Sequence, residues 1–226
     1  MEFGEYVGTE RQIGEHRVRA SIAEAFAYQL EEILYSFEQH SDRLYDGYTM
    51  QYGWGPIFVE DLPGEENAGV MTLRTPDYQG DAANERTQDL TMAIYTYAQQ
   101  MSFARNCGEP AEEVHFWQDM LAAPGWEDFE DFRIQRLDTG VEQFSGWMMI
   151  PVDWDFGDMV PKEEVAFVPA WKVAQVHPAA ARALMMPTWS GVEMRGGDVT
   201  RIVEWGDTDG SERLIFPTDE YEGDDA

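Results

Sequence analysis

The sequence contains very little cysteine and very little lysine. Its single cysteine, Cys107, excludes an internal disulfide and fits a reducing compartment. Only two of the 15 basic residues are lysines, Lys162 and Lys172. No run of 18 apolar residues is present, so no transmembrane helix is predicted. The first residues also lack the basic and apolar segments of a signal peptide. Together these absences predict a cytoplasmic protein.

Motifs for catalysis and for metal binding are also missing. The four histidines are far apart and show no spacing typical of a zinc site. There is no phosphate-binding loop, no dinucleotide-binding glycine motif and no nucleophile elbow. We interpret Cys107 as a small residue at a helix end. The sequence therefore predicts no cofactor, no metal and no enzymatic activity. A hydrolase whose acidic pair is hidden among the other carboxylates stays open as an alternative.

Acidic residues are abundant. The chain has 44 Asp and Glu and a formal net charge of −29, yet 43% of its residues are hydrophobic and 13% aromatic, which predicts a packed protein rather than a disordered one. The charge has two explanations. It is either an adaptation of the surface to a high-salt cytosol or a recognition surface for a basic protein. Repulsion disfavours nucleic acid and anionic membranes as direct ligands.

Two stretches of the first half have helical periodicity. A capping-box pattern begins at Ser21, and it predicts a helix whose apolar residues recur every three or four positions. A second helix is predicted from Thr87 to Asn106, because another such stripe lies there and Gly108 follows. The two stripes consist of Ile22, Phe26, Leu30, Ile33 and Phe37, and of Leu90, Ile94, Tyr97, Met101 and Ala104.

Short strand-like runs separated by turns occupy the rest of the chain. A hairpin or meander is predicted over residues 48–73, and a short helix from Pro178 to Met185. The predicted fold class is α+β, with antiparallel sheets, two long amphipathic helices in the first half and a shorter helix in the second. The expected organisation is an N-terminal α+β segment over 1–125, a second α+β segment over 126–217 and an acidic tail over 218–226. A single continuous domain is the alternative.

Tryptophans beside glycine, proline or acidic residues are candidates for a binding surface. Exposed aromatic side chains ringed by charge are typical interface anchors, whereas core packing is the alternative reading of each tryptophan. Three carboxylates also fall within six residues, 153–158, without the spacing of a calcium loop. The predicted binding residues are Trp54, Trp126, Trp147, Asp153, Trp154, Asp155 and Asp158.

Residues 130–200 resemble a known family. The pattern is an arginine-containing strand at Arg136-Leu137-Asp138, then Phe144-Ser145-Gly146-Trp147, Asp155, Val165-Ala166-Phe167-Val168, Val176-His177-Pro178-Ala179, and Leu184-Met185-Met186-Pro187 running on to Gly191. It resembles the class-thirty-three immunity-protein domain of bacterial polymorphic-toxin systems. The chain departs from the family where Phe144 replaces the usual Asp before Ser145. The resemblance implies a small α+β binding protein without catalytic residues.

The function expected from these features is that of an acidic binding protein. Its partner would be a basic protein, either a toxin or a nucleic-acid-processing enzyme, as an immunity or inhibitor protein requires. The alternative is a structural or host-interaction protein of a virus or mobile element from a salt-adapted, halophilic host. In that case the acidity would be only an adaptation to a high-salt cytosol.

Overall fold

The computed structural model of the protein describes residues 3–64, 67–154, 165–205 and 211–216. The chain divides into two compact units, Met1–Ala98 and Gln99–Ala226. The division falls within a helix. Within the described residues, no helix is long and apolar enough to cross a membrane.

The first unit is a mixed sheet with a helix packed against it. Its sheet order is β1-β2-β5-β4-β3, and the two-residue β6 pairs with β5. β2 and β5 run parallel, whereas the other neighbours are antiparallel. The elements are β1 (Tyr6–Ile13), β2 (His16–Ala23), α1 (Ala27–Gln39), β3 (Thr49–Tyr52), β4 (Gly55–Asp61), β5 (Val70–Pro76), β6 (Arg86–Thr87) and the start of α2 (Thr91–Asn106).

The core of this unit lies between α1 and the sheet. The inner side of α1 contributes Leu30, Ile33, Leu34 and Phe37, all at most 2% exposed. They belong to one apolar cluster with alternating residues of β2 and with residues of β4 and β5. Since this side of α1 is fully covered, the opposite side is left to face solvent.

The second unit is built on a larger mixed sheet. Its order is β10-β7-β9-β8-β11-β12-β13, in which β7 and β9 run parallel and the other pairs are antiparallel. Its elements after α2 are β7 (Asp119–Ala122), β8 (Asp131–Arg136), β9 (Phe144–Pro151), β10 (Ala166–Pro169), α3 (Ala170–Val176), α4 (Pro178–Ala183), β11 (Ser190–Arg195), β12 (Asp198–Trp205) and β13 (Glu212–Phe216).

The predicted fold class was wrong. The described residues form 13 strands in two mixed sheets and only short helices, instead of antiparallel sheets with two long helices in the first half. The first helix begins at Ala27, six residues after the predicted start, because Ser21 and Ile22 belong to β2. Val18, Ala20 and Ile22 alternate with more exposed residues, so this stretch follows the strand period of two.

The predicted helical stripes are buried only in part, since Phe26, Tyr97 and Met101 are half-buried. Ile33 of α1 and Ile94 of α2 are at most 2% exposed, and Leu90, which lies just before α2, is fully buried. The hairpins between β3, β4 and β5 also lie where the sequence predicted a meander. The periodicities therefore identified buried faces more reliably than they identified element boundaries.

Candidate binding surface

Three of the tryptophans predicted to bind a partner are buried. Trp54, Trp126 and Trp147 are 1%, 3% and 1% exposed. The indole Nε1 of Trp147 donates to the carbonyl oxygen of Leu184 at 2.8 Å. The carbonyl oxygen of Trp126 accepts from His177 Nε2 at 2.7 Å. These side chains are packed in the interior of their own unit.

The predicted acidic cluster is described only in part. Asp153 is exposed and Trp154 is half-buried, with its carbonyl oxygen accepting from Arg133 at 3.3 Å. Asp155 and Asp158 lie outside the described residues. The grouping of the three carboxylates therefore stays a prediction.

The pairing of β9 with β7 shifts register at Ser145, Gly146 and Trp147. The Ser145 hydroxyl donates to the carbonyl oxygen of Asp119 at 3.0 Å and accepts from the Trp147 amide at 3.3 Å. Gly146 has φ +82°, and a Cβ there would lie 2.4 Å from the carbonyl oxygen of Leu137. Only glycine fits so close an approach in this conformation. This part of the family-like pattern consequently has a packing role.

A buried arginine organises the loops beside β8. Arg136 donates to the carbonyl oxygens of Met186, Glu113 and Glu112 at 2.7, 3.2 and 3.4 Å. Its guanidinium lies 3.5 Å from the Glu112 carboxylate, which also accepts from the amide and the hydroxyl of Thr188. Burial lowers the pKa of Arg136, and the Glu112 charge partly offsets that effect. Because its donors face loop carbonyls, Arg136 supports the fold.

The thiol of Cys107 is not activated. Burial, together with the nearby Glu109 charge, raises its pKa to about 11. A nucleophilic cysteine needs the opposite shift, which comes from an electropositive environment. Across the described residues, no group of three or more His, Cys, Asp or Glu side chains is arranged to hold a metal ion.

The outer face of α1 combines exposed tyrosines with carboxylates. Tyr28 and Tyr35 are 71% and 60% exposed, and Glu32 lies between them on the same side of the helix. Their spacings of four and three residues follow the helical repeat. We call this surface the α1 outer face and define it by the exposed residues Tyr28, Glu31, Glu32, Tyr35 and Glu38.

The acidic character of this surface continues beyond the helix. From Glu24 to Asp46 the sequence has six acidic residues and one arginine, Arg43. Tyr45, in the turn after α1, is a further tyrosine, 54% exposed. The sequence thus gives this stretch an excess of negative charge beside three exposed aromatic rings.

The negative charge of the α1 outer face is only partly neutralised. Arg11 of β1 pairs with Glu31 and Glu38, and these contacts raise the pKa of Arg11. Among the described residues, no base pairs with Glu32. The Tyr28 hydroxyl lies close to the Glu32 carboxylate, and this proximity raises the pKa of Tyr28. The Tyr28 ring therefore lies beside an unneutralised charge.

Sequence reasoning predicted helix α1 but missed its outer face. The signal was present, because Tyr28, Glu32 and Tyr35 fall opposite the apolar stripe on a helical repeat. The prediction of binding residues was instead based on tryptophans beside glycine, proline or acidic residues. In this chain, position on an amphipathic helix distinguished the exposed aromatic residues better than local composition did.

Comparison with known proteins adds no relative, since the chain matches no protein-family model, no curated protein and no solved structure.

Proposed function

We propose that this protein is a non-enzymatic, acidic binding protein of the cytoplasm that neutralises a basic protein partner, either a toxin or a nucleic-acid-processing enzyme. The observation that carries the proposal is the α1 outer face, where Tyr28 and Tyr35 are exposed on either side of Glu32. Single exposed apolar residues are common on protein surfaces. Here two large aromatic rings flank a carboxylate that no base neutralises within the described residues, and this combination suits a binding role.

The two residue types would contribute differently to binding. The carboxylates attract a basic partner over distance, which raises the association rate and disfavours acidic competitors. Tyrosine provides contact area together with a hydroxyl, and it is enriched among the residues that dominate binding energy. Tyr28 and Glu32 lie about one helical turn apart, so the ring and the carboxylate can contact the same partner.

The resemblance of residues 130–200 to immunity-protein domains, which no family-model match supports, stays a prediction and implies the same class of function. In the described part of that stretch, Ser145, Gly146, Trp147 and Arg136 have packing or supporting roles. The binding surface we propose therefore lies in the first unit, outside the family-like pattern. Direct binding to nucleic acid or to anionic membranes is disfavoured by the net charge of −29.

One observation favours the alternative of a viral or mobile-element protein from a salt-adapted host. The acidity is not confined to α1, because residues 99–226 contain 26 acidic and 9 basic residues. If that acidity serves the solvent alone, the free energy of unfolding should rise by several kcal/mol between low and molar potassium chloride, since salt relieves surface repulsion. A recognition protein should be stably folded at ordinary ionic strength.

Site-specific photo-crosslinking in the native host cell tests the proposal. A photoreactive phenylalanine analogue is placed at Tyr28, at Tyr35 and, as a matched control, at Tyr6, which is 53% exposed on β1 of the same unit. Adducts are identified by mass spectrometry. We expect positions 28 and 35 to capture the same basic protein and position 6 not to capture it.

Two outcomes would contradict the proposal. The first is that adducts form equally from position 6, because contact would then not depend on the α1 outer face. The second is that the proteins captured at positions 28 and 35 are acidic or neutral, because the carboxylates would then have no complementary charge to meet.

A further inference from the structure

The second unit has an apolar groove on the exposed face of its sheet. The groove has a volume of about 350 Å³ and is lined by side chains from β7, β8–β9 and β10. This volume is at the lower end of the range for small-ligand pockets and suits one or two large side chains. Its apolar lining includes Leu121, Leu137, Phe144, Met148, Val165 and Phe167, together with the buried Trp147.

Strand alternation explains why these residues are not in the core. In β9, Ser145, Trp147 and Met149 are buried, while Phe144 and Met148 point to the other face and are half-buried. Phe167 of β10 is 59% exposed, and its ring centroid lies 5.4 Å from that of Phe144. Among the described residues, nothing covers this pair of rings fully.

Among the described residues that line the groove, the one charged side chain is the acidic Asp119, and no lysine or arginine lines it. The exposed Asp138 lies between the lining residues Leu137 and Thr139 in the sequence. An apolar floor with carboxylates beside it complements an apolar side chain that has basic residues on both sides of it.

The backbone beside the groove also suits an extended ligand. β10 is the terminal strand of the sheet formed by the described residues, and its Phe167 lines the groove. A terminal strand can pair with an added strand, which then places alternate side chains on the same face. An extended segment lying along β10 would direct one side chain towards the groove.

We propose that this groove binds an extended segment of another protein, with one large apolar side chain in the groove and lysine or arginine on either side of it. A second copy of this chain is less favoured as the ligand of the groove, because two molecules of net charge −29 repel each other at ordinary ionic strength. The groove shares no residue with the α1 outer face, and its proposed role does not depend on the function proposed for that face.

The test uses the intact protein and a labelled nine-residue peptide with one central phenylalanine flanked by lysines. Two comparison peptides carry serine in place of the phenylalanine, or glutamate in place of the lysines. Affinity is measured by fluorescence anisotropy for the wild type and for Phe167→Ser and Leu121→Ser. The matched control is Phe216→Ser, since Phe216 is an exposed phenylalanine on β13 of the same unit, 44% exposed.

We expect the lysine-flanked phenylalanine peptide to bind the wild type best. Phe167→Ser and Leu121→Ser should each weaken binding by about tenfold, as loss of a buried apolar contact predicts. Phe216→Ser should change affinity by less than about twofold. Circular dichroism identifies any variant that fails to fold, and the other groove variant then decides the result.

Three results would overturn the inference. Equal binding of the serine peptide would show that charge alone attracts the ligand. Equal weakening by Phe216→Ser would show that the groove is not the site. A wild type that binds no peptide and is dimeric by sedimentation, with Phe167→Ser monomeric, would identify a second copy as the occupant.

A variant of the α1 outer face separates the two proposals. Tyr28→Ser combined with Tyr35→Ser should leave peptide affinity unchanged, so failure of the groove proposal and failure of the α1 proposal are distinguishable.

Discussion

The Ser145-Gly146-Trp147 segment of β9 and the outer face of α1 have similar residue types but opposite environments. Both place large aromatic residues among small or polar neighbours. Trp147 is 1% exposed, whereas Tyr28 is 71% exposed. Gly146 allows the backbone to approach Leu137 closely and so directs Trp147 into the core. In α1 the helical repeat buries Leu30 and Ile33 and leaves Tyr28 outside. The comparison teaches that backbone geometry, more than neighbouring residue types, decides which aromatic residues can meet a partner.

The strongest way to break the β9 side of this comparison is Gly146→Ala. The added Cβ would lie 2.4 Å from a carbonyl oxygen at φ +82°, so we expect a loss of about 3 kcal/mol or more in the free energy of unfolding. Gly140→Ala is the matched control, because Gly140 also has positive φ but open space around it. It should cost about 1 kcal/mol. Urea unfolding measures both, and equal losses would refute the close-approach explanation.

Arg136→Met tests whether this arginine supports the loops beside the same segment of β9. Removing the guanidinium leaves the carbonyl oxygens of Met186 and Glu113 without this donor. We expect the free energy of unfolding to fall by about 2–4 kcal/mol. Glu112→Gln keeps those donors in place and should cost about 1 kcal/mol. If Arg136→Met is as stable as the wild type in urea unfolding, Arg136 does not have the supporting role assigned to it.

The smallest effect on stability is expected from the α1 outer face. Tyr28→Ser combined with Tyr35→Ser removes two exposed rings, so the free energy of unfolding should change by no more than about 0.5–1 kcal/mol. Thermal and urea unfolding provide the measurement, with Tyr6→Ser as the control for an exposed tyrosine on a strand. A loss of unfolding free energy as large as that of Gly146→Ala would mean that these rings stabilise the fold and are not free to bind a partner.

Much of the core could be predicted from the sequence, but the fold class could not. Apolar periodicity identified Ile33 and Ile94 as buried, because helices must cover an apolar face. It failed at Ile22, since its spacing of four to Phe26 fits a strand as well as a helix. The parallel pairs β2–β5 and β7–β9 join strands distant in sequence, and no local turn signal marks such pairs.

The candidate surface was harder to predict than the core. Trp54, Trp126 and Trp147 looked like interface anchors because they lie near glycine, proline or acidic residues. Whether such a tryptophan is buried depends on contacts made far along the chain, such as that between Trp147 and Leu184. Tyr28 and Tyr35 could have been identified from the polar side of the predicted helix. What the sequence could not show is the pairing of Glu31 and Glu38 with Arg11 of β1.

The most direct test of the central claim is the affinity of the basic protein captured at positions 28 and 35, measured by calorimetry at two salt concentrations. If the α1 outer face recognises it through charge and tyrosine, the Kd should rise by about tenfold or more between 0.1 and 0.5 M potassium chloride. Tyr28→Ser with Tyr35→Ser should weaken binding further by about tenfold at both salts, while Tyr6→Ser should not. A Kd unchanged by salt and by loss of both tyrosines would contradict the account.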